Sequence, residues 1–154
     1  MSIELIRASK VDAEVIWQMQ RIAFGELLTK YQDFDTNPGN EPLEKVLRRF
    51  TFPATHFYFI RVNGLNAGAI RIVDHHDETP KKISPLFVMP EFRGKGVAQA
   101  AILAAEAIHG SSSWQLETIL QEKANCHLYE KMGYRQTGET KVINQCMTLV
   151  FYEK

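Results

Sequence analysis

Val88-Met89-Pro90-Glu91-Phe92-Arg93-Gly94-Lys95-Gly96-Val97-Ala98 is the stretch on which the reading of this 154-residue chain turns. The apolar run up to Val88 reads as a strand, Pro90 stops it, and two glycines lead into a helix with alanines at 98, 100, 101, 104, 105 and 107. The first amides of a helix have no partner within it and lie at the positive end of its dipole, so together they attract an anion. Gly94 and Gly96 have no Cβ to keep a phosphate off the backbone, and Arg93 and Lys95 add positive charge beside them. Two readings stand: a pyrophosphate cradle, or an ordinary glycine turn before a helix. The turn is not a P-loop, because no GxxxxGK[ST] occurs. Nor is it a dinucleotide fingerprint, because Gln99 stands at the third glycine position.

Working outward, residues 3–7 alternate as a half-buried strand does, and apolar positions recur at helical spacing from Val11 to Tyr31, with Gly25 a candidate bend. Residues 31–42 gather Pro, Gly, Asn and Asp and read as a loop, after which Pro42 opens a short helix ending near Phe50. Asn63-Gly64 joins strands Thr55–Val62 and Ala67–Val73 as a hairpin. Lys82–Val88 is a strand made irregular by Pro85, and Gly96–His109 is the alanine-rich helix. Trp114–Leu120 forms the next strand, Asn125–Met132 a short helix, and the chain closes with two strands. The order β-α-α-β-β-β-α-β-α-β-β predicts one domain over 1–154, of α/β (α+β) class, with helices flanking a single mixed, mostly antiparallel sheet.

Eighteen basic side chains balance eighteen acidic ones, with no basic half and no Lys/Arg run, so a nucleic-acid partner is not expected. Cys126 and Cys146 are too few for a disulfide framework or a zinc knuckle. The opening MSIELIRASK has no apolar signal core and no run reaches membrane-spanning length, so a cytoplasmic protein without membrane contact is expected.

The segment Arg93-x-x-Gly96-x-Ala98, preceded by Val88-x-Pro90, resembles the acyl-CoA signature R/Q-x-x-G-x-G/A of the GNAT superfamily of N-acetyltransferases. Leu128-Tyr129-Glu130-Lys131-Met132-Gly133-Tyr134, with Tyr129 placed 36 residues after Arg93, is similar to a second segment of that family. The element order agrees from residue 3 onward. The resemblance implies an acyl-CoA N-acyltransferase fold with splayed central strands, acetyl-CoA as co-substrate and no metal. Phe87 and Val88 would then hold pantetheine, and Arg93, Gly94, Lys95, Gly96, Val97, Ala98 and Gln99 the pyrophosphate. Tyr129 would serve as the acid for the departing thiolate, against the alternative of an aromatic ring packed beside Leu128. Where the family often has an asparagine that touches CoA, this chain has Glu122. Asn125 is read as the cap of the following helix or as a cofactor contact.

The acceptor implied is a primary amine, on a small molecule, peptide or protein. At pH 7 an alkylammonium is neutral in only about 1 molecule in 2,500, a cost of about 4.6 kcal/mol, so a base is needed. Glu117 is the candidate, because it lies on the strand Trp114–Leu120 that would face the splay, where alternation puts it on one face with Gln115 and Ile119; a solvent-facing carboxylate is the other reading. Asp33, Asp35 and Glu41 lean toward a cationic acceptor. His75, His76 and Asp77 read as a solvated loop, His109 as a contact to its helix dipole, and the Cys126-His127 neighbours as facing apart. A non-catalytic acyl-CoA-binding module on the same fold is the alternative function, a nucleotide-phosphate protein a weaker one, and a homodimer is left open.

Overall fold

The computed structural model describes residues 2–154. Its strands are β1 (Ile3–Arg7), β2 (Thr55–Val62), β3 (Leu65–Val73), β4 (Lys81–Val88), β5 (Trp114–Ile119), β6 (Arg135–Asn144) and β7 (Met147–Glu153). Its α-helices are α1 (Ala13–Tyr31), α2 (Leu43–Thr51), α3 (Val97–His109) and α4 (Lys123–Lys131). The strands form one seven-stranded sheet in the order β1-β2-β3-β4-β5-β7-β6. Every neighbouring pair is antiparallel except β4 with β5. The predicted order of elements is the observed one.

Strand periodicity explains why the sheet is covered on both faces. Tyr58, Ile60 and Val62 of β2 pack on one side with Val97, Ala101, Ile102 and Ala105 of α3. Phe57 and Phe59 turn to the other side and meet Ile16 and Ala23 of α1 and Val46 of α2. The alanines of α3 at 101 and 105 are fully buried, so the helix backbone lies close to the sheet. The β2–β3 turn takes positive φ at both Asn63 (48°) and Gly64 (82°), the conformation that an Asn-Gly hairpin favours.

Where β4 leaves β5, the fold opens. The two strands are in register only at Lys81–Trp114 and Lys82–Gln115, after which β4 runs on to Val88 beside α1 and β5 stays with β7. The register of β3 with β4 also shifts between Ile70 and Ile72, opposite the segment containing Pro85. Gly68 of β3 is the tightest point against β4: a Cβ there would lie 2.1 Å from the Phe87 carbonyl oxygen. A glycine inside a strand signals close backbone approach. Gly68→Ala is therefore expected to cost about 2–4 kcal/mol, in the range of severe overpacking and local strain. Urea denaturation checks it; a loss below about 0.5 kcal/mol would show that β4 yields freely there.

Candidate acyl-CoA cleft

Beside the end of β4, past its last pair with β5, lies a cleft of about 520 Å³, walled by α1, β4, the glycine turn and α4. Gly94 (φ 73°) and Gly96 (φ 77°) both take left-handed backbone, and a Cβ on either would meet no atom of the chain within 4 Å. Gly96 is the N-cap of α3. The first backbone bond there runs from the Ala100 amide to the Gly96 carbonyl at 3.0 Å, leaving the amides of Val97, Ala98 and Gln99 without helical acceptors. These three residues, with Gly94 and Gly96, line the cleft.

The two cations of the turn are placed differently from the expectation. Arg93 lines the cleft, but its Nε donates to the Val88 carbonyl at 3.0 Å and its Nη2 to the Ala23 carbonyl at 2.8 Å. It ties the end of β4 to α1, and Glu26 of α1 lies 3.7 Å from its Nη1. The Lys95 ammonium turns to the Glu91 carbonyl at 3.4 Å and the residue does not line the cleft. Phe87 and Val88 do line it, as do Leu86 and Phe92.

Opposite the turn, Tyr129 and Asn125 of α4 face the cleft. The Tyr129 ring is set edge-on to Tyr134, with centroids 5.9 Å apart, and tilted against Tyr152 at 6.2 Å. Burial, with Cys126 adjacent, pushes its phenol up to about 12. No hydrogen bond from its hydroxyl is found among the described residues, so the proton is available to a ligand. Asn125 is not the cap of α4. The helix starts at Lys123 with Glu122 as N-cap, which puts Asn125 in the first turn. The Glu122 side chain makes no cap bond and is held from α1 instead: Lys30 donates to its Oε2 at 2.7 Å and the Tyr31 hydroxyl to the same oxygen. Burial raises the Glu122 carboxyl, but those two hydrogen bonds outweigh it and hold the group below the usual carboxylate range.

Glu117 stands apart from this cleft. Its carboxylate is 3.8 Å from the Lys82 ammonium, in a separate shallow depression with Gln115, Thr137 and Glu139. The expectation that Glu117 faces the splay is not met, because no residue of β5 lines the cleft. The acidic loop also differs from expectation. Asp33 is 3% exposed and its carboxylate accepts from the Thr36 amide at 3.0 Å. Glu41 is 7% exposed and takes a bidentate pair from Arg49 at 2.6 and 2.7 Å, besides Gln20 Nε2 at 2.9 Å. Both carboxylates hold the α1–α2 connection together, which leaves Asp35 as the one exposed member of the cluster that pointed to a cationic acceptor.

At the far end of the sheet, His109 is buried: its Nδ1 is 2.7 Å from Asp74 Oδ2 and its Nε2 is 2.9 Å from the Tyr58 hydroxyl. His109 is thus more than a dipole contact. His56, Asp74 and His76 bring one ligand-type atom each within 4.8 Å of one another. Arg7 Nη1 lies 3.0 Å from His56 Nδ1, and because a guanidinium can only donate, neutral His56 carries its proton on Nε2. That buried nitrogen, without a partner, presents a proton there rather than a lone pair. Cys126 is buried and His127 exposed, facing apart as expected. No helix among the described residues is long and apolar enough to cross a membrane.

The family profile described as "Acetyltransferase (GNAT) domain" matches residues 53–136. The search of curated proteins found no match. Among solved structures, the PaiA N-acetyltransferase of Thermoplasma acidophilum, in complex with coenzyme A, superposes with a TM-score of 0.71 at 16% identity, covering 100% of both chains. The spermidine N-acetyltransferase of Vibrio cholerae, with CoA and spermine, gives 0.75 at 15% identity over 97% of this chain and 93% of that one. The ribosomal-protein-S18-alanine N-acetyltransferase of Escherichia coli gives 0.76 at 11% identity over 98% and 92%. At such identities these are likenesses of fold.

Proposed function

This chain belongs to the GNAT acetyltransferase family, and on that premise we propose that its cleft binds acetyl-CoA and passes the acetyl group to a primary amine by direct attack in a ternary complex. The observation that carries the reading is the pairing, across one cleft, of unpartnered amides at the start of α3 with the unpartnered hydroxyl of Tyr129. Acetyl-CoA supplies an activated thioester. The amides of Gly94 to Gln99 hold its pyrophosphate, with the α3 dipole behind them. Phe87 and Val88, which line the cleft beyond the last β4–β5 pair, orient pantetheine. Asn125 supports the cofactor from the α4 side. Arg93 positions the turn through its two carbonyl bonds.

Tyr129 donates a hydrogen bond to the sulfur as negative charge develops on it. The hydroxyl, kept protonated by burial, passes its proton to the departing sulfur and is reprotonated from solvent, which takes up the proton that the attacking nitrogen loses. A free acyl-CoA sensor has no use for such a donor, which favours the enzyme over the binding module.

A thiol-release assay with acetyl-CoA across small amines and peptides tests the proposal; binding of CoA with no release on any amine would support the binding module instead. The same assay has an expected pH dependence. Glu122, already ionised, and Tyr129, near 12, keep their protonation states between about pH 6 and pH 9. The proton that limits attack is then the amine's own. The kcat/KM for an alkylamine should rise about tenfold per pH unit across that window. A plateau beginning near pH 7 would place a base of matching pKa in the cleft and contradict this.

A further inference from the structure

We propose that Glu122 is a specificity-determining residue that seats a cationic group of the acceptor, and that Lys30 fills this seat in the resting enzyme. This rests on the acetyltransferase reading above. Glu122 lines the cleft beside Tyr129 and Asn125, with its side chain only 21% exposed. What occupies its Oε2 at 2.7 Å is the ammonium of Lys30, a primary alkylammonium on a side chain 60% exposed. The carboxylate is therefore fixed and sheltered, while its cation reaches in from solvent on a flexible stem. Tyr31, buried and held by Asn144 Nδ2 on its carbonyl at 2.8 Å, gives the carboxylate a permanent neutral donor. Oε1 takes no hydrogen bond found among the described residues. An incoming cation can replace Lys30 without leaving a sheltered charge unpaired, which is the costly event at such a site.

Seating and attack cannot fall on the same nitrogen. A carboxylate that holds an ammonium protonated withholds the lone pair that must attack the thioester. The seated cation is accordingly a second positive centre, and the acceptor class is an amine bearing another cationic group. Phe24 and Leu27 of α1 line the same cleft and supply apolar wall for the methylenes between the two nitrogens.

The test compares 1,4-diaminobutane with 4-amino-1-butanol, equal in length but lacking the second charge. Wild type should show a kcat/KM at least about tenfold higher for the diamine, the scale of one hydrogen-bonded charge pair. Glu122→Gln keeps the size and the Tyr31 contact, and should shrink the ratio to about two, the statistical factor for two equivalent amines. Lys30→Met should widen it several-fold, because the internal competitor is gone. A merely structural Lys30–Glu122 contact would change both acceptors alike. An unaltered ratio in Glu122→Gln, a narrowed one in Lys30→Met, or refusal of both probes by an enzyme that acetylates other amines overturns the proposal. Calorimetry with CoA separates the two levels: absent CoA binding overturns the acetyltransferase reading and this with it, whereas CoA binding and turnover without charge preference overturns this alone.

Discussion

Tyr129→Phe is expected to lower kcat about 100-fold while CoA affinity stays within about threefold. Loss of a single donor aimed at developing charge typically costs about 10²–10³ in rate. The lower end applies here, because one donor is lost while the ring and the rest of the cleft stay in place. The ring is clamped against Tyr134 and Tyr152, and phenylalanine preserves both contacts, so the variant should fold with nearly unchanged stability. Single-turnover measurement, which isolates the chemical step from product release, is the check. An unchanged rate there would return Tyr129 to a packing role.

The second large effect concerns the turn. Gly96→Val should weaken CoA binding at least about 100-fold, by way of two costs. Gly96 sits at φ 77°, a region in which a β-branched residue is strained by roughly 1–2 kcal/mol or more. The valine will also fill the open space in front of the amides of α3, where no atom of the chain competes for it. Strain alone should lower Tm by about 3–8 °C in a chain of this size. Gly138 supplies the control. It too has positive φ (95°) with no neighbour within 4 Å, but it lies on β6 and does not line the cleft. Gly138→Val carries comparable backbone strain and should leave CoA binding near wild type. Equal losses of affinity in the two variants would mean that the turn acts through stability rather than contact.

The features legible from sequence were those set by local backbone demands. Pro90, the paired glycines and the alanine run at 98–107 define a strand, a turn and a close-packed helix by themselves, and Asn63-Gly64 defines its hairpin. Side chains whose roles depend on distant partners were not legible. Asp33 and Glu41 display charge in the sequence, but Thr36, Gln20 and Arg49 consume it. Arg93 has the right charge at the right position, yet its guanidinium is claimed by two carbonyls, one of them 70 residues away. Asn125 has the chemistry of a cap, but α4 starts two residues earlier at Lys123, with the Glu122 side chain taken by Lys30 and Tyr31 of α1. Glu122 was visible only as an unexpected residue where the family resemblance led one to look for asparagine. Gly68 could have been found, since a glycine inside an apolar strand signals close backbone approach.

The central claim is that one cleft holds pyrophosphate on the start of α3 and the thioester beside Tyr129. A crystal structure of the wild-type protein with CoA tests it most directly. The expected result places the two bridging phosphates within hydrogen-bond distance, about 2.7–3.2 Å, of amides between Gly94 and Gln99, with pantetheine between β4 and β5 and its sulfur within reach of the Tyr129 hydroxyl. CoA seated elsewhere on the chain, or in the cleft with its sulfur turned away from Tyr129, would contradict the account.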